Sequence, residues 1–218
     1  MTKKWEDKRF YSLNYFLRHK FGCKVIKISL DAGFSCPNRD GTISRGGCIF
    51  CSERGSGDFA GSREFSIHQQ FENIKSLMNN KWKNGKYIAY FQAYTNTYGP
   101  IEVLREKYYE AMNQENVVGI AIATRPDCLS EQVLDLLEEL NNKIYVWVEL
   151  GLQTSNENTA IKINRGYNLE TFEKAVKSLR KRKIDIVVRT IFGLPGENEN
   201  DMVNTIKYIS NKDILNMT

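Results

Sequence analysis

Long apolar runs are missing from this chain of 218 residues. No stretch approaches the ~18 residues needed to span a bilayer, so no membrane-crossing segment is expected. The N-terminus reads Met1-Thr2-Lys3-Lys4-Trp5-Glu6-Asp7-Lys8, with no apolar stretch behind its charges, and no secretory signal is read there. Proline is scarce at 4 residues and glycine modest at 15, which excludes collagen-like and low-complexity classes. Histidine is limited to His19 and His68. A strong excess of one charge is also lacking. The formal net charge of +5 permits a nucleic-acid partner without requiring one. No RNP-like or OB-like pattern organises the 11 Tyr and 11 Phe. What remains is globular composition, 41% hydrophobic and 26% charged, in a length suited to one or two domains.

Five cysteines are present: Cys23, Cys36, Cys48, Cys51 and Cys128. An odd number without a signal peptide argues against a secreted disulfide framework and for a reducing cytoplasm, where thiols stay free or bind metal. Cys23 and Cys128 are read as small buried hydrophobes without an assigned role. The other three cluster within one short segment.

Apolar, β-branched runs alternate with helical patterns. Strands are expected at Lys24–Leu30, Lys86–Phe91, Val117–Ala123, Ile144–Leu150 and Ile184–Ile191. Their near-continuous apolar character suits a parallel sheet. Ile67, Phe71, Ile74, Met78 and Trp82 make one helical face. Pro100 suits the first turn of a helix carrying Val103, Leu104, Tyr108 and Met112. Ser130 and Asn168 are expected helix caps, and Asp201–Ile209 a last helix. Strand–helix alternation implies right-handed crossovers in a barrel or a doubly wound sheet. The chain stops where a sixth strand would be starting.

The segment from Cys36 to Cys51, CPNRDGTISRGGCIFC, follows the first strand with spacing C-x11-C-x2-C. Cys48 and Cys51 can bind one metal centre from a single turn, with Cys36 returning across a loop. Gly41, Gly46 and Gly47 let the backbone wrap closely. Three thiolates are one short of a closed zinc site, and neither histidine is close in sequence. A four-iron cluster held by three cysteines keeps one iron open for a small chelating molecule. Zinc with a distant fourth ligand, Cys23 or Cys128, stays open as an alternative, as part of an α/β RNA-binding module.

This segment resembles the radical S-adenosylmethionine (radical SAM) superfamily, in particular its YhcC/YtqA-type members, which are related to the catalytic subunit of Elongator. The superfamily's usual spacing is C-x3-C-x2-C, from which this chain departs. The resemblance implies a partial parallel (β/α) barrel of class α/β, truncated near strand six. The core domain covers 1–218, with an N-terminal extension over about 1–22 and the C-terminal end of the barrel absent. It implies that Cys36, Cys48 and Cys51 hold a [4Fe-4S] cluster with SAM at the open iron. Backbone around Thr95, Asn96 and Thr97 would hold the SAM amino group. Glu149 and Gln153, in the ELGLQ segment, would lie by the ribose. Arg165, in Asn164-Arg165-Gly166, would meet the SAM carboxylate. Ile191 and Gly193, before the turn Leu194-Pro195-Gly196-Glu197, would pack against adenine. Ala123-Thr124-Arg125-Pro126-Asp127 is similar to the TRPD of Elongator-like members. All these segments fall at carboxyl ends of expected strands, where parallel α/β folds bind ligands. The implied chemistry is hydrogen abstraction by a 5′-deoxyadenosyl radical, with a low-potential electron donor as partner and tRNA wobble-uridine modification as setting. Relatives continue beyond this chain, so on its own it is expected to hold a cluster weakly. A non-catalytic remnant is the remaining alternative. The cationic run Arg180-Lys181-Arg182-Lys183 is read as a solvated helix end.

Overall fold

The computed structural model describes residues 10–79, 85–212, 214 and 216–217. Trp82, the residues Met1–Lys8, Asp213 and Leu215 lie outside the described residues. The elements run α1 (Leu13–Phe21), β1 (Val25–Leu30), α2 (Ile67–Asn79), β2 (Lys86–Phe91), α3 (Ile101–Met112) and β3 (Val117–Thr124). They continue with α4 (Glu131–Asn141), β4 (Tyr145–Gln153), α5 (Glu157–Lys162), α6 (Leu169–Lys181), β5 (Asp185–Thr190), α7 (Glu199–Ser210) and β6 (Asn216–Met217).

The six strands form one parallel sheet in the order β1-β2-β3-β4-β5-β6. The order never reverses, so right-handed crossovers place every connecting helix on the same side. That resolves the choice left by the sequence in favour of a partial barrel: among the described residues the sheet does not close, and β6 adds only Asn216 and Met217 beside Val187 and Val188.

Alternation along each strand divides the core. Ile28, Phe91, Ile122, Val148 and Val188 point to the helix-packed side, against Phe71, Tyr108, Leu137, Phe172 and Ile209. On the other side, Val25, Ile88, Ala121, Trp147 and Val187 meet Leu17. Helix α1, which no periodic apolar pattern predicts, carries Leu17 and seals that face from the amino ends of the strands.

Most expected caps are formed. Ser130 Oγ accepts from Val133 N and Asn168 Oδ1 from Thr171 N. Helix α7 begins two residues earlier than expected because Asn198 and Asp201 make a reciprocal capping box. Pro100 precedes the first turn of α3 instead of lying within it, and Val103 is exposed. On α2, Ile67 and Phe71 are buried, whereas Met78 is exposed at the surface end. Among the described residues no helix is long and apolar enough to cross a membrane.

Candidate functional site

A cavity of about 460 Å³ opens at the carboxyl ends of the strands. Cys36, Cys48 and Cys51 line it together, and Thr95, Gln153 and Ile191 reach it from the ends of β2, β4 and β5. Its floor is made by Tyr90, Glu149 and Arg189.

The eleven residues between Cys36 and Cys48 are a folded loop. The Cys36 carbonyl accepts from Arg39 N at 2.8 Å, and the Pro37 carbonyl from Ile43 N at 2.8 Å. Asp40 and Arg45 form an antiparallel bridge, and Gly47 N returns to the Asn38 carbonyl at 2.9 Å. The long spacing therefore doubles back and restores Cys36 to the neighbourhood of Cys48. Gly47 has φ +81°, and a Cβ there would lie 2.8 Å from Arg39 Nε. The Arg39 guanidinium needs that space: it donates to the carbonyls of Cys51 at 2.9 Å and Glu53 at 3.2 Å.

The loop docks on the segment after α5. Asn38 Nδ2 donates to the Asn164 carbonyl at 2.6 Å, and Asn164 Nδ2 donates to the Gly47 carbonyl at 2.8 Å. Ile49 N donates to the Ile163 carbonyl at 3.1 Å. Gly166, at φ +81°, permits the approach, since a Cβ would stand 2.9 Å from Asn38 Oδ1. Asn38 also donates to Cys48 Sγ at 3.4 Å. On the far side, Tyr94 N donates to the Gly55 carbonyl and its hydroxyl to the Glu53 carbonyl. Tyr94, Ser56 and Gln153 are non-glycine residues with φ near +60°, a concentration of strained backbone around one cavity.

The expected site residues divide. Thr95, Glu149, Gln153 and Ile191 line the cavity with the cysteines. Asn96, Thr97, Arg165 and Gly193 are not among its lining residues. Asn96 is fully buried and donates to the Phe91 and Ala123 carbonyls, while its own carbonyl accepts from Tyr108. The Thr97 hydroxyl is shared between Thr124 and the Cys128 carbonyl. Arg165 is 1% exposed. It donates to the carbonyls of Leu152, Thr154 and Tyr167 and to Glu157. The structure thus uses the expected carboxylate partner as a strut joining the end of β4 to α5. Arg125 and Arg189 are the arginines that do line the cavity; Arg125 is held by Asp127 at 2.7 Å and donates to the Arg165 carbonyl at 3.0 Å. Gly193 has φ +76° with open space around it, and Gly196 forms the expected turn with Glu197 N donating to the Leu194 carbonyl.

Gln153 reaches the cavity because β4 continues past Leu150 through a register shift against β5. Tyr167 fixes it there, its hydroxyl donating to the Gly151 carbonyl or Gln153 Oε1 at 2.9 and 3.0 Å. At the floor Glu149 is 1% exposed and paired with Lys27 and with Arg189, whose Nε lies 2.7 Å away. Burial alone would raise the Glu149 carboxyl. The Lys27 and Arg189 charges outweigh it and hold the group below the usual carboxylate range. Burial pushes the Cys48 thiol up, opposed by the Asn38 hydrogen bond and the Arg125 charge. Lys27, Tyr90, Arg189 and Tyr167 were not singled out from the sequence. Their one available signal was charge at Lys27 and Arg189 inside otherwise apolar strands.

The donor set fits an iron–sulfur cluster. Among the described residues no three His, Cys, Asp or Glu side chains converge on a single ion, as a mononuclear zinc site would require. A four-iron cluster binds each thiolate at a different corner, so three thiols lining one cavity suit it, as does the Asn38 N–H on sulfur.

The family description "Radical SAM superfamily" matches residues 39–209. The chain is 53% identical over 208 residues to the uncharacterized protein YtqA of Bacillus subtilis, covering 95% of this chain and 65% of the relative. It is 42% identical over 194 residues to protein YhcC of Escherichia coli K12, covering 88% and 62%. The chain thus spans less than two thirds of the length of either. Among solved structures, the archaeal Methanocaldococcus infernus Elp3 lacking residues 1–46 shares the fold with TM-score 0.60 at 19% identity, over 85% of this chain and 42% of that one.

Proposed function

The chain belongs to the radical SAM superfamily, enzymes that bind a [4Fe-4S] cluster and SAM, and from that premise we propose that Cys36, Cys48 and Cys51 hold the cluster and that the strand-end cavity receives SAM. The observation that carries the assignment is the shared cavity wall formed by these three thiols and no other cysteine. The cluster and SAM, when bound, supply a 5′-deoxyadenosyl radical that takes a hydrogen atom from an unreactive carbon.

The protein's own part is positioning. Asn38 donates to Cys48 Sγ and ties the loop to Asn164. Arg39 gathers the carbonyls after Cys51, which fixes the turn that carries the third thiol. Thr95, Gln153 and Ile191 form the walls on which SAM rests. Asn96, Thr97 and Arg165 support those walls from behind through buried hydrogen bonds, and Gly193 lets the last loop turn. Glu149 is engaged by Lys27, Trp147 and Arg189, so its role at the floor is electrostatic.

An electron donor of low potential is the partner this chemistry needs. Tyr11 onward carries the resemblance to Elongator-related proteins, and together with the net charge of +5 it supports tRNA wobble uridine as the substrate of the whole protein. The five free thiols suit a reducing cytoplasm.

Anaerobic reconstitution with iron and sulfide tests the assignment. At saturating iron and sulfide the weakly held cluster expected of this chain should still approach about four irons and, with reductant and SAM, release 5′-deoxyadenosine. Cys48→Ser abolishes both. Retention of the full iron content by Cys36→Ser, Cys48→Ser and Cys51→Ser alike would overturn it. Mass spectrometry of tRNA nucleosides from cells lacking the gene tests the substrate: an unchanged wobble uridine removes tRNA from the proposal.

A further inference from the structure

The floor of the cavity carries more positive charge than its own carboxylate neutralises. Lys27 and Arg189 are both ion-paired to a single group, Glu149. That carboxylate is already fully engaged: Oε1 accepts from Lys27 and from Trp147 Nε1 at 3.1 Å, and Oε2 from Arg189. Two cations and one anion leave a net +1. The other cation on the cavity wall, Arg125, is neutralised locally by Asp127, so the excess is confined to the floor.

The surroundings make that excess costly without a partner. Glu149 is 1% exposed and the Lys27 side chain 21%, with its ammonium 3.5 Å from the Tyr90 ring centroid. A buried cation without a counter-charge is unfavourable, and an anion entering such a site meets weak dielectric screening. Arg189 keeps 40% of its side chain exposed, and it lines the cavity. Its Nε and Nη2 are used on Glu149 and on Tyr90 Oη at 3.1 Å, while Nη1 has no acceptor among the described residues. Nη1 therefore offers two N–H donors to whatever fills the lower cavity.

We infer that this floor is an oxyanion site, in which Arg189 Nη1, backed by Lys27 and Tyr90, takes a carboxylate or phosphate group of the substrate. The inference deepens the proposed function and rests on it. It separates two anions within one cavity. The SAM carboxylate is expected at the cluster, which the cysteine loop would hold over the β2 and α5 side, where Tyr94 and Asn164 anchor that loop. Arg189 stands on β5, at the other side of the sheet. A substrate anchored there by its anionic group would present its remainder upward, toward SAM.

Calorimetric titration of the cluster-free chain with malonate and, separately, with inorganic phosphate at fixed ionic strength tests this. Saturable binding of at least one is expected, and which one distinguishes a carboxylate from a phosphate. Arg189→Gln should weaken it roughly tenfold or more, and Arg189→Lys should recover part of the loss while far-ultraviolet circular dichroism stays unchanged. SAM affinity of the reconstituted chain should fall far less in Arg189→Gln than the anion affinity does. No saturable binding of either anion, equal anion affinity in Arg189→Gln, or a loss of SAM affinity in that variant as large as its loss of anion affinity would each overturn the inference. The anion titration needs no iron, so its failure leaves the cluster assignment standing, and loss of the cluster assignment leaves the titration readable.

Discussion

On the helix-packed side of the sheet, Ile28, Phe91, Ile122, Val148 and Val188 are buried among apolar side chains from α2, α3, α4, α6 and α7. One residue along, the same strands present Lys27, Tyr90, Ala123, Glu149 and Arg189 to the cavity side. The backbone ladder is common to both, so the contrast lies entirely in side-chain parity. The first side gains from burying area and tolerates any well-packed hydrophobe. The second holds charges that must be paired, and its upper rim bends into strained turns around Tyr94 and Gln153. Apolar burial is concentrated on one side of the sheet and charge on the other.

Three perturbations sharpen that contrast. The largest strikes the packed side: Leu137→Ala removes a fully buried side chain from α4 and is expected to cost about 2–5 kcal/mol. Its urea midpoint should drop strongly while the residual folded chain still takes up iron. A midpoint shift equal to that of a surface substitution would show that the packed side is not the main source of stability. The next strikes the cavity side through pH. The Glu149 carboxyl titrates lower in the fold than in the unfolded chain, so its contribution is complete above the unfolded value of about 4.3 and fades as pH falls through the lowered folded value. Glu149→Gln should therefore be less stable at neutral pH and show a shallower acid limb in urea midpoints measured across pH. An identical acid limb in both chains would remove Glu149 from the electrostatic account. The smallest is Ser130→Ala, which deletes the α4 cap hydrogen bond to Val133 and should lower stability by ~1 kcal/mol, with the iron content untouched.

The packed side was readable in the sequence because its signal is repetitive. Each strand run and most helical faces were recoverable from apolar periodicity, and Ser130 and Asn168 acted as the caps their chemistry suggested. Helix α1 was missed because its apolar positions are few and its partner surface, around Val25 and Trp147, is formed only by the assembled sheet. The end of β4 was placed at Leu150, since a register shift carries no periodic signature. At the site, the cysteines, Glu149, Gln153, Thr95 and Ile191 were legible as motif positions. Whether a motif residue faces a ligand or braces its neighbours was not, because that depends on side-chain direction. Arg165 and Arg125 illustrate it: both are arginines at loop starts, and only the fold turns one inward to carbonyls and the other to the cavity. Lys27 and Arg189 escaped notice because each is a lone charge in an apolar run, meaningful only once β1, β4 and β5 bring them to the same carboxylate.

The docking of the cysteine loop on Asn164 has a consequence for maturation. Asn38 and Asn164 stand 126 positions apart in the chain, yet each holds the other's backbone surroundings in place. A ribosome must therefore release both β4 and α5 before the loop that carries Cys36 and Cys48 gains its docking partner at Asn164. On the proposed assignment, iron insertion follows synthesis of the chain as far as Asn164, and a peptide spanning the three cysteines alone should fail to reproduce it.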